Sequence, residues 1–299
     1  MSPSLVVVAA KRSQYQKYVR DQHDPRALEL LARHDPVVAN WRRADTLHRR
    51  TYDAVLDALD HLGAKVIVPS KPHAEFDVSG AALVVTVGGD GTFLAASHSV
   101  GSEPVLGINS APEFSVGYFC APHRGSLRKH LDDALSGRLR RLQMTRMRVE
   151  VNGRLTSSRV LNEALYSHRV PAATSRYILQ WGRKKEEQRS SGFWIGPAAG
   201  STGAQRSAGG RVLPMGSKKL QLVVREPYCP PGLRIGLRQM LVSQAQSISV
   251  RSKMDDAALF LDGPYKRIDL HLGDVVRFSA STQPLMALGI RQPRMTRRD

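Results

Sequence analysis

Short apolar runs alternate with helix-like spacing through the first part of the chain. Residues 41–62 place apolar side chains at helical intervals and end before Gly63, which is typical of a helix C-terminus. A second helix is predicted from Gly91 onward, whereas Asp24-Pro25 and Asp35-Pro36 are interpreted as breaks in a polar stretch. Apolar runs typical of strands lie at residues 5–10, 65–69, 81–87 and 104–109. Strands that alternate with helices predict right-handed βαβ units and a parallel sheet.

Helical spacing almost disappears after Arg140, and short apolar runs separated by turn residues replace it. These runs lie at residues 146–151, 177–181, 220–224, 247–250, 258–262, 269–272 and 275–279. The Asn-Gly, Asp-Gly and Gly-Asp pairs between them are typical of hairpin turns. We therefore predict a Rossmann-like α/β domain at 1–140 and a β-rich domain, a β-sandwich, at 141–284. The remaining segment, 285–299, is a candidate to rejoin the α/β domain and ends in a basic tail.

The chain of 299 residues carries a formal net charge of +18 at pH 7, from 44 Lys and Arg against 26 Asp and Glu. This excess, strongest over residues 124–189, favours an anionic partner such as a nucleotide, polyphosphate, nucleic acid or membrane surface. Cys120 and Cys229 alone indicate neither a disulfide framework nor a Cys-rich zinc site. The N-terminus lacks a signal-peptide pattern, and no apolar run approaches the ~20 residues of a membrane-spanning helix. We expect a cytoplasmic protein without a membrane partner.

A glycine-rich turn that holds one carboxylate, GGDGT at residues 88–92, follows the buried strand predicted at 81–87. It lacks the Lys of a P-loop and the spacing of a dinucleotide-binding fingerprint. Three glycines nevertheless expose backbone N–H groups to phosphate oxygens at the start of a helix. Asp90 in such a place either accepts a proton from an attacking hydroxyl or helps to hold Mg²⁺. The alternative is an ordinary strand-to-helix turn with an Asp N-cap.

Further motifs follow this turn in a characteristic order. They are Gly107-Ile108-Asn109, Leu161-Asn162-Glu163, Gln188-Arg189-Ser190, Gly200-Ser201-Thr202, Ser207-Ala208-Gly209-Gly210 and Gly273-Asp274. In this order and spacing the chain resembles the NAD kinases, from about Leu83 to Leu288. GGDGT alone is shared with diacylglycerol and sphingosine kinases, whereas its combination with the later motifs is much more specific.

The resemblance implies Mg²⁺-dependent transfer of a phosphoryl group from ATP, or from polyphosphate, to the 2′-hydroxyl of the adenosine ribose of NAD(H). It makes Asp90 the base, with Gly88, Gly89, Gly91 and Thr92 at the donor phosphates. It assigns NAD binding to Asn162, Glu163, Arg189, Ser191, Thr202, Gly203, Ala204, Gln205, Arg206 and Ser207. The implied Mg²⁺ is held through phosphates, with Asp90 as the one candidate protein ligand. Family members are homodimers or homotetramers in which the β-rich domain helps to complete a neighbour's site.

The chain departs from the family pattern on the acceptor side. Residues 203–206 replace the usual Ala-Tyr-Ser-Leu, and Ser191 replaces an Asp. The missing tyrosine removes a stacking surface, for which Gln205 or Arg206 could compensate by a hydrogen bond or a phosphate contact. The chain therefore resembles a divergent member, and its choice between NAD and NADH, and between ATP and polyphosphate, stays open.

Two other classes of function are alternatives to an NAD kinase. A lipid kinase would share GGDGT but not the later motifs, and a nucleic-acid-binding protein would explain the charge without a recognised motif. Three other features have ordinary explanations. They are a lone helix histidine (His98), two exposed acids in a turn (Asp255 and Asp256), and a solvated charge run in a hairpin loop (residues 183–187).

Overall fold

A computed structural model describes residues 3–70, 74–121, 126–232, 234–263 and 266–290. The chain divides into two compact units. The first unit runs to Leu142 and resumes at Met286, and the second spans Gln143–Leu285. The domain boundaries expected from sequence were 140 and 284, and the expected basic tail, residues 291–299, lies outside the described residues.

The first unit contains a six-stranded sheet with the order β2-β1-β3-β4-β18-β5. Its strands are β1 (Leu5–Ala10), β2 (Lys65–Ile67), β3 (Leu83–Gly88), β4 (Val105–Asn109), β5 (Arg141–Met144) and β18 (Leu285–Leu288). β1 pairs in parallel with β2 and β3, β3 with β4, and β4 with β18. All six residues of β3 are buried, as the apolar run at 81–87 predicts for a central parallel strand.

Four α-helices accompany this sheet, and none of the helices among the described residues is long and apolar enough to cross a membrane. They are α1 (Pro25–Ala32), α2 (Trp41–His61), α3 (Asp90–Ser97) and α4 (Leu127–Leu135). The predicted helix at 41–62 is confirmed as α2, which packs Val55 and Leu59 into the core.

The interpretation of the two Asp-Pro pairs as breaks is wrong. The Asp24 carboxylate accepts the N–H of Ala27 at 2.8 Å and caps α1, whose first residue is a proline. Asp35 caps a 3₁₀ turn at Pro36–Val38 in the same way, and a π-helical segment spans Tyr15–Asp21. An Asp before a Pro is a strong helix-start signal, because proline fits the first helical position.

The second unit is a sandwich of two six-stranded antiparallel sheets, with orders β10-β9-β14-β17-β6-β7 and β13-β12-β11-β8-β15-β16. The first sheet comprises β6 (Met147–Val151), β7 (Arg154–Val160), β9 (Ser175–Trp181), β10 (Lys184–Ser190), β14 (Ser247–Ser252) and β17 (Val275–Ala280). The second comprises β8 (Ala164–His168), β11 (Phe193–Gly196), β12 (Leu220–Val224), β13 (Gln239–Val242), β15 (Ala257–Leu261) and β16 (Lys266–Leu270). Tyr166, Tyr177, Phe193 and Phe278 pack between the sheets. The predicted fold class is confirmed.

One local expectation for this unit was wrong. The charge run at 183–187 lies mostly in strand β10 rather than in the loop of its hairpin, and alternate positions Gln188 and Ser190 face inward. A 3₁₀ turn (Ala198–Thr202) and a short helix α5 (Ala204–Ser207) also interrupt the β-rich region. Residues 198–207 contain no apolar side chain larger than alanine, so sequence periodicity gives no helical signal there.

Candidate active site

The glycine turn, residues 88–92, joins the buried strand β3 to helix α3. Gly89 is the helix N-cap with extended backbone, and Asp90 is the first helical residue. A Cβ on Gly88 would lie 2.1 Å from Thr92 Oγ1, and one on Gly89 would lie 2.5 Å from Ser115 Oγ. A Cβ on Gly91 would meet nothing within 4 Å. A side chain at Gly88 would clash with Thr92, and one at Gly89 would displace the Ser115 hydroxyl, whereas Gly91 has open space beside it.

The Asp90 carboxylate is held by one oxygen and free at the other. The N–H of Phe119 donates to Asp90 Oδ1 at 2.8 Å, and no other described residue bonds this side chain. Gly89 is the N-cap and forms no side-chain cap, so the alternative of an Asp N-cap is wrong. Oδ2 is thus available to a ligand or to a proton.

The segment that carries Phe119 is itself tied to the sheet. The N–H of Ala121 donates to the Gly107 carbonyl at 2.9 Å, and the Phe119 ring lies 5.4 Å from that of Phe93 on α3. Cys120 lies between Phe119 and Ala121 in the sequence. Burial, together with the negative charge of Asp90, raises the pKa of its thiol to about 12. Asp90 therefore sits in a rigid, partly desolvated setting beside a thiol that stays protonated.

The Asn-Glu turn, residues 161–163, joins β7 to β8 and is organised by Asp262. The Asp262 carboxylate accepts the backbone N–H groups of Leu161 at 2.9 Å, Asn162 at 2.7 Å and Glu163 at 3.1 Å. In return, the Asp262 N–H donates to the Glu163 carbonyl at 2.8 Å. Sequence reasoning missed Asp262 and treated it only as part of a turn before Gly263. The Asp-Gly pair indicated only a turn, and the structure gives Asp262 a φ of 49°, a region that Asp tolerates in turns.

Glu163 is buried with an unsatisfied oxygen. Only 8% of its surface is exposed, and its Oε2 has no hydrogen-bond partner among the described residues. Burial, together with the nearby charge of Asp262, raises the pKa of Glu163 to about 7. The side chain can therefore accept or donate a hydrogen bond near neutral pH.

Glycines on the following segment pack against the Asn-Glu turn. A Cβ on Gly200 would lie 2.0 Å from the Asn162 carbonyl oxygen, and one on Gly196 would lie 2.3 Å from it. The fully buried Gln205 donates from Nε2 to that carbonyl at 3.5 Å, and its Oε1 accepts a hydrogen bond from Gln221 Nε2 at 3.2 Å. The side chain of Gln205 thus makes its hydrogen bonds within the protein interior. The neighbouring positions that are at least partly exposed are Thr202, Gly203, Ala204, Arg206 and Ser207.

Arg189 and Ser191 lie elsewhere in the same unit. Ser191 lines a cavity of about 330 Å³, and its carbonyl accepts a hydrogen bond from Arg225 at 3.3 Å. The pairing of β11 with β8 places Ser191 near His168. His168 is six residues from Asn162 along the strand direction, so Ser191 and Asn162 are separated by roughly 20 Å. One copy of the chain therefore does not bring Ser191 and Asn162 into one compact pocket.

The features with ordinary explanations also have structural partners. Asp256 pairs with Arg169, and Asp255 accepts the N–H of Leu272 at 3.1 Å. His98 is buried at the end of α3. Within the described ranges, no group of three or more His, Cys, Asp or Glu side chains could hold a metal ion.

A parallel sheet that ends in a glycine turn with one anchored carboxylate, followed by an antiparallel sandwich, defines a phosphotransferase of the nucleotide-kinase type. The comparisons with known proteins narrow this class. Residues 69–133 match the family model for the ATP-NAD kinase N-terminal domain. The chain belongs to the NAD kinase family, as its similarity to more than two thirds of the length of two relatives shows.

Two plant proteins carry this similarity. The chain is 35% identical over 228 residues to a probable NADH kinase of Oryza sativa, covering 69% of this chain and 70% of the relative. It is 35% identical over 226 residues to the NADH kinase of Arabidopsis thaliana, covering 68% and 71%. The family predicted from the motifs is confirmed, and the comparisons give no support to a lipid kinase or a nucleic-acid-binding protein.

Solved structures share the fold. An NAD kinase from Archaeoglobus fulgidus, solved in complex with ATP, aligns with a TM-score of 0.66 at 21% identity and covers 97% of this chain and 94% of its own. Yeast NADH kinase, solved with NADH, aligns with a TM-score of 0.68 at 14% identity and covers 97% and 84%.

Proposed function

We propose that this protein transfers the terminal phosphoryl group of ATP to the 2′-hydroxyl of the adenosine ribose of NAD or NADH, producing NADP or NADPH. The observation that carries the proposal is Asp90 at the start of α3, a carboxylate with one oxygen fixed by the Phe119 N–H and the other without a hydrogen-bond partner among the described residues. A general base needs this combination of fixed orientation and a free acceptor.

In the proposed reaction, Asp90 Oδ2 accepts the proton of the 2′-hydroxyl as that oxygen attacks the terminal phosphorus. The bond from this phosphorus to the bridging oxygen breaks, and ADP leaves with the electron pair. Backbone N–H groups of the glycine turn hold the donor phosphates, with the Thr92 hydroxyl beside them. Catalysis is then mainly positioning and charge stabilisation.

Magnesium fits this donor set. Mg²⁺ in kinase sites is usually held by one or two carboxylates together with substrate phosphates, and Asp90 offers one unbonded oxygen. When bound, the ion would neutralise charge on the donor phosphates. We expect chelation by EDTA to abolish turnover and added Mg²⁺ to restore it.

Asn162 and Glu163 are proposed to bind the acceptor, held in place by Asp262. The proposed further contacts to the acceptor are Thr202, Gly203, Ala204, Arg206 and Ser207, and the buried Gln205 supports them.

The separation of Ser191 from Asn162 along the sheet supports a homodimer or homotetramer in which Arg189 and Ser191 serve a neighbouring copy. The plant relatives are a probable NADH kinase and an NADH kinase, which supports NADH as an acceptor beside NAD. The free cysteines Cys120 and Cys229 support a reducing, cytoplasmic location.

The test is an assay of the purified chain with ATP or polyphosphate as donor and NAD or NADH as acceptor, with product identified by mass. We expect NADP or NADPH from ATP, and a profound loss in Asp90→Asn. Failure to form either product with either donor would overturn the proposal.

A further inference from the structure

A second polar cavity of about 580 Å³ lies in the first unit, outside the glycine turn. Its charged and titratable side chains come from three segments: the residues after β1, the π-helical segment and α2. The side chains concerned are Lys11, Arg12, Arg20, His48, Arg49, Tyr52 and Asp53. Four of these are cations and one, Asp53, is a carboxylate, so the cations outnumber the carboxylates in the lining even though two of them pair with carboxylates outside it.

The cavity wall is connected to the glycine turn by short hydrogen bonds. The N–H of Lys11 donates to the carbonyl of Val87, the residue before Gly88, at 3.0 Å. On the other side, His48 Nδ1 is hydrogen-bonded to Ser110 Oγ at 3.0 Å, and the Ser110 N–H donates to the Gly88 carbonyl at 3.0 Å. The cavity therefore lies at the carboxyl end of the parallel strands, where α/β folds bind their ligands.

Two of the cations are neutralised or loosely paired. Arg20 lies 2.6 Å from the carboxylate of Asp45, which is 2% exposed and also accepts the Ser13 hydroxyl at 2.6 Å. Arg12 lies 3.7 Å from Asp21. These pairs hold the wall of the cavity in shape and leave little free charge of their own.

Lys11 and Arg49 differ, because neither has a carboxylate within ion-pair distance in the part of the chain that the structure describes. Lys11 is half-buried, and burial lowers the pKa of its ammonium group more than the nearby charge of Asp45 raises it. Burial and the charge of Lys11 also lower the pKa of His48 to about 4, so the histidine is neutral. A desolvated, unpaired cation is costly unless an anion supplies the missing contacts.

We infer that this cavity binds a chain of condensed phosphates, with Lys11 and Arg49 as its principal ion-pairing groups. The volume exceeds that of a single phosphate and falls in the range of ordinary ligand pockets. Cations from separate elements suit an extended polyanion, which each side chain contacts at a different phosphate. Two ligands carry such a phosphate chain: a nucleoside triphosphate and inorganic polyphosphate. The use of either one as phosphoryl donor rests on the proposed function.

The test is isothermal titration of the full chain with tripolyphosphate and, separately, with ATP, both without NAD(H). We expect Lys11→Gln and Arg49→Gln each to weaken binding by about tenfold, as for loss of one hydrogen bond to a charged group. Lys65→Gln is the matched lysine control, because Lys65 is exposed and pairs with Leu5 at the other end of β1. Arg50→Gln is the matched arginine control on the same helix, exposed and outside the cavity lining.

Unchanged affinity of Lys11→Gln and Arg49→Gln for both probes would overturn the inference. Weakened binding of both probes supports it with a nucleoside triphosphate as ligand, and weakened binding of tripolyphosphate alone supports it with inorganic polyphosphate. Arg49 is exposed on α2, so its variant keeps the test decisive if Lys11→Gln does not fold. These titrations need no turnover: a chain that makes no NADP(H) but shows the two losses keeps the cavity assignment and refutes only the proposed function.

Discussion

The glycine turn of the first unit and the Asn-Glu turn of the second are built in opposite ways. The glycine turn is made by five consecutive residues, and its one side chain of chemical interest is anchored by a neighbouring loop. The Asn-Glu turn depends on the carboxylate of Asp262, 100 residues away in sequence from Asn162, which gathers three N–H groups. A turn made of consecutive residues can thus be predicted from a sequence motif, whereas a turn held by a carboxylate that is distant in sequence cannot.

Removal of Asp262 should have the largest effect on this comparison. Asp262→Ala leaves three backbone N–H groups without their acceptor, at about 1–3 kcal/mol for each unsatisfied group. We expect the free energy of unfolding, measured in urea, to fall by at least ~3 kcal/mol and the KM for NAD to rise in any folded fraction. Asp256→Asn, which removes an exposed ion pair with Arg169, is the control and should cost less than ~1 kcal/mol.

Gly88 and Gly91 offer a smaller test within the glycine turn. Gly88→Ala forces a Cβ to within 2.1 Å of Thr92 Oγ1 in a buried strand, and we expect a loss of about 1–3 kcal/mol in unfolding free energy. Gly91→Ala meets nothing within 4 Å and should fold like the wild type. Equal stability of the two variants in urea denaturation would contradict the packing described for the turn.

Glu163 makes the Asn-Glu turn sensitive to pH. Its pKa rises from an ordinary value near 4.5 to about 7 in the folded protein, because burial and Asp262 disfavour the charged form. Between these values the folded state holds a proton that the unfolded state has released, so this group makes stability fall as pH rises through that window.

Glu163→Gln removes this titration. We expect the stability of the variant relative to wild type to increase from pH 4.5 to 7, by on the order of 3 kcal/mol, and then to level off. Glu187→Gln is the control, because Lys253 lowers the pKa of the exposed Glu187 carboxyl instead. A stability difference between Glu163→Gln and wild type that does not change with pH would refute the assignment.

The elements that could be predicted from sequence are those whose cause is local. The apolar run of β3 and the helical spacing of α2 depend on consecutive residues, and both are present where predicted. The first helix was missed because Asp24-Pro25 was interpreted as a break rather than as a cap. The glycine turn could be predicted for the same reason as β3, because all of its residues are consecutive in the sequence.

The remaining features depend on residues that are far apart in sequence. Asp262 was missed because nothing near it indicates that its carboxylate accepts N–H groups from residues 161–163. The basic segment 124–189 drew attention by its density of charge. The cavity around Lys11 and Arg49 did not, because its cations are spread over separate elements and meet only in the fold.

The most direct measurement of the central claim compares the kcat and the NAD(H) affinity of wild type and Asp90→Asn. The amide keeps the size of the side chain and can still accept the Phe119 N–H, but it is too weak a base to take the 2′-hydroxyl proton. We expect kcat to fall by roughly 100- to 10,000-fold while the dissociation constant of NAD(H) changes little. An Asp90→Asn variant that keeps the wild-type kcat would contradict the account.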